Sequence, residues 1–255
     1  MRVTFLGTGT SQGIPVIACD CEVCTSEDPR DKRLRSSVMI ESKGKVIVID
    51  TGPDFRQQML LHGVKRLDAV VFTHEHKDHV AGLDDVRAFN FRQKEKIEIY
   101  GTKAVHEALK REFHYAFSEV KYPGIPELNL NEIHNELFHL HGLPFEPVEV
   151  MHYKMPVFGF RIHDFAYVTD AKTIAPEELE KLKGCEVLVL NALRREDHIS
   201  HLTLQEALDI IEKVGPVRAY LTHLSHLMGT HEQVTEELPM NVALAYDGMV
   251  LEFPD

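Results

Sequence analysis

The chain has 255 residues, enough for one large core or two modest domains, and its 44% hydrophobic and 27% charged content is ordinary for a globular protein. Forty acidic against 28 basic residues give a formal charge of −12, which disfavours a partner such as long nucleic acid. No apolar run reaches 18 residues and the opening MRVTFLGTGTSQG is too short and glycine-rich for a secretory signal, so no membrane partner is expected and a cytoplasmic location is the default expectation.

In chain order, apolar runs of strand length fall at VTFLG (3–7), SVMIES (37–42), KVIVID (45–50), DAVVFT (68–73) and IEIYG (97–101). Helical patterns lie between or after them at 54–63, 79–91 and 102–117. The stretch 122–147 is rich in Pro, Gly and Asn and predicts a hairpin insertion or a lid. Strands resume with PVEVMH, FGFRIH (158–163), FAYVTD (165–170), EVLVLN (186–191), VRAYLT (217–222) and ALAYDGMVLEF (243–253). Helices are expected at 176–183, 203–214 and 231–238, and Thr203 followed by Glu206 has the capping-box spacing. Early hairpins and later strand–helix alternation imply mixed sheets with helices outside. With no linker and no fixed-period repeat, 1–255 reads as a single domain.

Chemistry concentrates in DAVVFTHEHKDHVAGL. His74 and His76 are two apart on an extended segment and face the same way, while Asp78 and His79 approach from another side as a helix begins. Nitrogen and carboxylate donors at this density suit zinc, manganese or iron; the plain alternative is a charged surface loop. Cys19, Cys21 and Cys24 form C-x-C-x2-C, three soft thiolates within six residues, which points to a thiophilic ion or a reactive role ahead of mere packing. Cys185 opens the apolar CEVLVLN and reads as a buried thiol. In AYLTHLSH, His223 and His226 serve one metal, two metals or none.

HxHxDH after a strand resembles the signature of the metallo-β-lactamase superfamily, and the later motifs resemble it in order. The resemblance implies an α/β fold, a four-layer αββα sandwich of two mixed sheets with helices on the outer faces. It implies two divalent ions, manganese or zinc. One would take His74, His76, His152 and Asp170; the other would take Asp78, His79, Asp170 and His223. Asp50 matches a supporting aspartate, and a hydroxide bridging the two ions would attack phosphorus.

Finer motifs, LGTGTSQGIP, RLRSS, the cysteine trio, NALRREDHISHLTLQEAL and THLSH, resemble the PhnP-type phosphodiesterases. That family implies a small phosphodiester substrate, such as phosphoribosyl 1,2-cyclic phosphate or a 2′,3′-cyclic nucleotide. It also implies a structural zinc on Cys19, Cys21, Cys24 and His226, and a tendency to form homodimers. A histidine ahead of the last ligand acts on the leaving group. His198 and His201 are both candidates, and His201 is preferred because His201-Leu-Thr resembles the pattern of tRNA-processing nucleases. Asp78 would orient the nucleophile as well as bind metal. Arg35, Arg194 and Arg195 could meet phosphate but are left out of the catalytic set. The rivals are an RNase Z-like tRNA 3′-processing nuclease, a thioester hydrolase of the glyoxalase II group, and a non-catalytic metal-binding protein. The acidic chain without a basic arm, the HISHLT segment and the intact ligand set argue against them respectively.

Overall fold

The structure, a computed structural model, describes residues 1–119 and 122–254. Its strands are β1 (Arg2–Gly7), β2 (Ser37–Ser42), β3 (Lys45–Ile49), β4 (Ala69–Val71), β5 (Ile97–Gly101), β6 (Leu128–Glu132), β7 (Phe138–Leu140) and β8 (Leu143–His152). They continue with β9 (Met155–Ile162), β10 (Phe165–Val168), β11 (Thr173–Ile174), β12 (Val187–Asn191), β13 (Arg218–Thr222), β14 (Val242–Leu244) and β15 (Val250–Glu252). The α-helices are α1 (Glu22–Thr25), α2 (Phe55–Leu61), α3 (Lys77–Val80), α4 (Arg87–Gln93), α5 (Lys103–Glu112), α6 (Pro176–Leu182), α7 (Leu204–Val214) and α8 (His231–Glu237). The chain divides into two compact units: Met1–Leu6, Ser37–His134 and Val250–Asp255 form one, Gly7–Ser36 and Asn135–Met249 the other.

The first unit carries a mixed sheet in the order β15-β1-β2-β3-β4-β5-β6. β3, β4, β5 and β6 run parallel, in register at Val48↔Val70 and Val70↔Ile99. Leu6, Val48, Val70, Phe72, Val80 and Leu83 belong to one buried cluster. The second unit's sheet runs β11-β8-β9-β10-β12-β13-β14, with β7 paired to β8. Here β10, β12, β13 and β14 are parallel, and every residue of β12 is buried, as expected for a parallel strand covered on both faces. In both units the parallel strands finish on one edge, the edge at which such sheets present functional side chains.

Several expectations change in detail. The helix read over 79–91 is broken into α3, a 3₁₀ turn at Leu83–Val86, and α4. Gly82 explains the break: a Cβ there would collide with the Gly52 carbonyl oxygen and stand 2.8 Å from Phe55 Cβ. The turn after β3 therefore packs where a helix would continue, and Gly82 N–H donates to Thr51 O at 2.8 Å. The run 243–253 is two strands, β14 and β15, in different sheets, because Asp247-Gly248 turns the chain between them. The 122–147 stretch includes β6, parallel to β5, and a tight β7–β8 hairpin closing at Leu140↔Leu143. The capping box at Thr203 and Glu206 is present at the start of α7.

Candidate metal centres

In the first unit, Asp50 follows β3, is fully buried and takes a left-handed φ of 65°. Asp50 Oδ1 accepts from Thr73 N–H at 2.9 Å, and Oδ2 accepts from the Thr73 hydroxyl at 2.8 Å. Because that hydroxyl proton goes to Asp50, Thr73 Oγ1 is the acceptor at 3.0 Å from His74 Nδ1, which must carry the proton. His79 Nδ1 likewise donates to Asp50 Oδ2 at 2.7 Å. Burial pushes the Asp50 carboxyl up, and the His79 and Thr73 contacts pull against it. The rings of His74 and His76 lie 4.7 Å apart and those of His74 and His79 4.1 Å apart. Asp78 Oδ2 stands 3.3 Å from His79 Nε2.

The second unit repeats this wiring with residues scattered along the chain. His152 ends β8, and its Nδ1 lies 3.1 Å from Asp170 O and 3.0 Å from Ser200 O. Carbonyls only accept, so Nδ1 again bears the proton. Asp170 follows β10 with a φ of 60°, and His223 follows β13 with a φ of 56°. The Thr169 hydroxyl donates to Asp170 Oδ2 at 2.7 Å and its oxygen accepts from His223 Nδ1 at 3.3 Å. Asp170 Oδ1 is 3.1 Å from His201 Nε2 and 3.4 Å from His223 Nε2. Left-handed φ at such residues is strain of the kind that collects at functional sites.

These partners provide a test of metal fit. His74, His79, His152 and His223 all hold a proton on Nδ1 against an oxygen, so each turns Nε2 to the ligand role, as metal-binding histidines do. Nitrogen and carboxylate donors so arranged suit divalent zinc or manganese. The predicted residues thus gather as two sets, His74, His76, Asp78 and His79 in one unit, His152, Asp170, His201 and His223 in the other.

A second cluster lies wholly within the second unit. His226 Nδ1 faces Cys19 Sγ at 3.2 Å, Cys21 Sγ at 3.4 Å and Cys24 Sγ at 3.5 Å. With Zn–S near 2.3 Å and Zn–N near 2.05 Å, a tetrahedral site would separate N from S by about 3.6 Å. The knot fits zinc. The Cys24 backbone N–H lowers the Cys21 thiol to about 6, while burial raises Cys24 to about 11. Cys185 is buried and its thiol is pushed up to about 11 by that burial.

Arg194 spends its guanidinium on Glu196 O and Asp197 O, and Arg195 on Glu237 and Met228 O. Both are structural. Arg35 donates Nε–H to Ser11 O at 3.1 Å. The glycine-rich loop is stitched beside His223, with Thr10 N–H on Leu224 O, Leu224 N–H on Thr8 O, and Thr10 Oγ1 3.2 Å from His223 Nε2. Gly9 is required there, since a Cβ would stand 2.9 Å from Arg33 O.

Sequence reasoning missed the orienting residues Thr73, Thr169 and Asn191; the last clamps Ala171 through both its amide atoms at 2.7 and 3.0 Å. A signal existed for the threonines: apolar–Thr–ligand recurs as FTH, VTD and LTH.

The family described as Beta-lactamase superfamily domain matches residues 45–224. An octanoyltransferase of Porphyromonas gingivalis is 43% identical over 252 residues, 98% of this chain and 51% of that protein. A ribonuclease Z of Staphylococcus epidermidis is 26% identical over 167 residues, 64% of this chain and 49% of that one. The chain therefore spans about half the length of these curated relatives. The crystal structure of a diphosphatase from the PhnP family superposes with a TM-score of 0.93 at 41% identity, covering 99% of this chain and 98% of that one.

Proposed function

Because the chain belongs to the metallo-β-lactamase superfamily and has its fold, we propose that it is a metal-dependent hydrolase of small phosphodiesters, above all cyclic ones such as phosphoribosyl 1,2-cyclic phosphate or 2′,3′-cyclic nucleotides. The likeness to a PhnP-family diphosphatase along nearly the whole of both chains carries this reading. The thiol knot with His226 and the HISHLT segment support it.

In this reading His74, His76, His152 and Asp170 hold one divalent ion and Asp78, His79, Asp170 and His223 the other, manganese or zinc. Such ions, when bound, lower the pKa of a water to about 7 and offset phosphate charge. Asp78 orients the attacking water as well as holding metal. His201 turns Nε2 to the side of Asp170 and gives its proton to the departing oxygen. Cys19, Cys21, Cys24 and His226 keep a structural zinc. The two units act as one hydrolase domain over 1–255, cytoplasmic, without long nucleic acid or membrane as a partner, and able to pair with a second copy.

The likeness to a diphosphatase of the PhnP family favours a second reading, cleavage of a diphosphate linkage. The phosphorus centre is similar there, and the departing phosphate needs less help from an acid. Acyl transfer is not proposed, since the octanoyltransferase name belongs to a protein twice the length matched. The deciding experiment loads the purified protein with manganese or zinc. It then offers phosphoribosyl cyclic phosphate, 2′,3′-cyclic nucleotides, an aryl phosphodiester, a nucleoside diphosphate ester, a thioester and a tRNA precursor. Turnover of cyclic or aryl phosphodiesters is expected; cleavage of the thioester or the tRNA precursor alone defeats the reading.

A further inference from the structure

His198 is the titratable side chain nearest the proposed acid that the reaction does not yet use. Its ring centroid lies 5.1 Å from that of His201, and it is partly exposed where His201 is buried. Ser200 joins the group together. Its backbone N–H donates to His198 Nδ1 at 3.3 Å, its carbonyl meets His152 Nδ1 at 3.0 Å, and its hydroxyl lies 3.2 Å from His198 Nδ1 and 3.0 Å from His201 Nδ1.

A backbone amide can only donate, so His198 Nδ1 is a bare acceptor and His198 is the neutral Nε2–H tautomer. Burial, with His201 and Arg194 nearby, holds its pKa below the usual histidine value. His201 Nδ1 stands 3.2 Å from that bare nitrogen. Two lone pairs would repel at this distance, so His201 must carry a proton on Nδ1, whether or not Nε2, 3.1 Å from Asp170 Oδ1, carries one as well. The Ser200 hydroxyl can support the same arrangement by giving its proton to His198 Nδ1 and accepting from His201 Nδ1.

We infer that His198 is a positioning residue: with Ser200 it pins a proton on His201 Nδ1, so that His201 Nε2 is the nitrogen turned toward the leaving group. This rests on the role given to His201 above. A protonated His201 can then release only the Nε2 proton. That N–H bond breaks, an O–H bond forms on the departing oxygen as it takes the electron pair of the P–O bond, and His201 returns to the neutral Nδ1–H form. Without His198 the Nδ1 proton loses that acceptor, and the Ser200 hydroxyl can turn its own proton to His201 Nδ1 instead.

Two phosphodiesters differing only in leaving group test this, one releasing p-nitrophenolate, which needs no proton, and one releasing an alkyl alcohol. His198→Ala should lower kcat on the alkyl ester at least tenfold with KM little changed, and far less on the nitrophenyl ester. His198→Asn, whose Oδ1 can accept where Nδ1 did, should recover most of the loss. Nitrogen-15 NMR of the imidazoles should find His201 as Nδ1–H in the parent and in His198→Asn, and mixed in His198→Ala. Equal losses on both esters, no loss on the alkyl ester, or an unchanged His201 tautomer in His198→Ala would each overturn the inference. If the parent hydrolyses no phosphodiester, the functional reading fails instead, and the NMR comparison still decides the positioning claim.

Discussion

His223 and His226 stand three residues apart, yet they meet different chemistries. His223 is 1% exposed, takes a left-handed backbone and is surrounded by oxygens from Thr10, Thr169 and Asp170. His226 is partly exposed and faces three sulfurs. Oxygen and nitrogen donors leave a divalent ion room for water and substrate, whereas three thiolates and an imidazole close the coordination sphere. In the function proposed here one segment serves a centre for reaction and a centre for structure, and damage to each should look different.

The strongest test of that contrast is His223→Ala. It should lose at least one ion and nearly all turnover, a larger loss than that of any single proton donor, with a small change in melting temperature; metal analysis beside steady-state rates checks it. A variant with full occupancy and activity would erase the contrast. Next comes His201→Ala, which should keep both ions and lose roughly 10²–10⁴-fold in rate, the usual worth of a general acid. Retained rate with a collapse in His198→Ala would move the acid role to His198.

The knot should fail the other way. His226→Ala and Cys21→Ser should each lose one tightly held zinc from a parent carrying up to three ions. Each should melt on the order of 10 °C lower, from a few kcal/mol of lost stability at about 2–4 °C each in a chain of this size. Turnover per folded molecule should fall far less than in His223→Ala. Calorimetry with metal analysis decides; a His226→Ala protein holding every ion of the parent means the knot is not a zinc site.

The smallest effect concerns His231, whose pKa is pushed down to about 4, first by burial and then by Arg33 and Arg30. The unfolded imidazole binds a proton near 6.5, so this group's stability is complete above 6.5 and is lost as pH falls toward 4. Asp247 is raised to about 6 by burial and acts in the opposite sense, its contribution complete below 3.8 and lost as pH rises through 6. The two offset one another between about 4 and 6. Melting temperature followed from pH 6.5 to 4 should therefore fall less in His231→Gln than in the parent.

The contiguous candidate ligands were the easiest to read. His74, His76, Asp78 and His79 crowd into six positions at the end of an apolar run, so spacing alone marks them as a set. His152, Asp170 and His223 are single polar residues at strand ends, ordinary by themselves, and only the order of a resembling family marks them. His226 was legible only in the same way, because the thiols it joins lie near the other end of the sequence. Strand positions were readable because burial on parallel strands leaves unbroken apolar runs, as in VLVLN of β12. The broken helix at Gly82 was not readable, since its cause is a carbonyl at Gly52, thirty positions earlier. Thr73 and Thr169 escaped because a threonine at a strand end is common; only its hydroxyl partners give it meaning.

The knot also governs when the chain can become locked. Its sulfurs and its imidazole are separated by 202–207 positions, so it cannot close until the chain has been synthesised through His226. Contacts between such distant positions form late, because bringing them together costs entropy before they give anything back. A clasp formed after the folding transition state slows escape from the native basin and leaves entry nearly untouched. Zinc at the knot would therefore act as a latch on lifetime, felt as slow unfolding rather than fast folding.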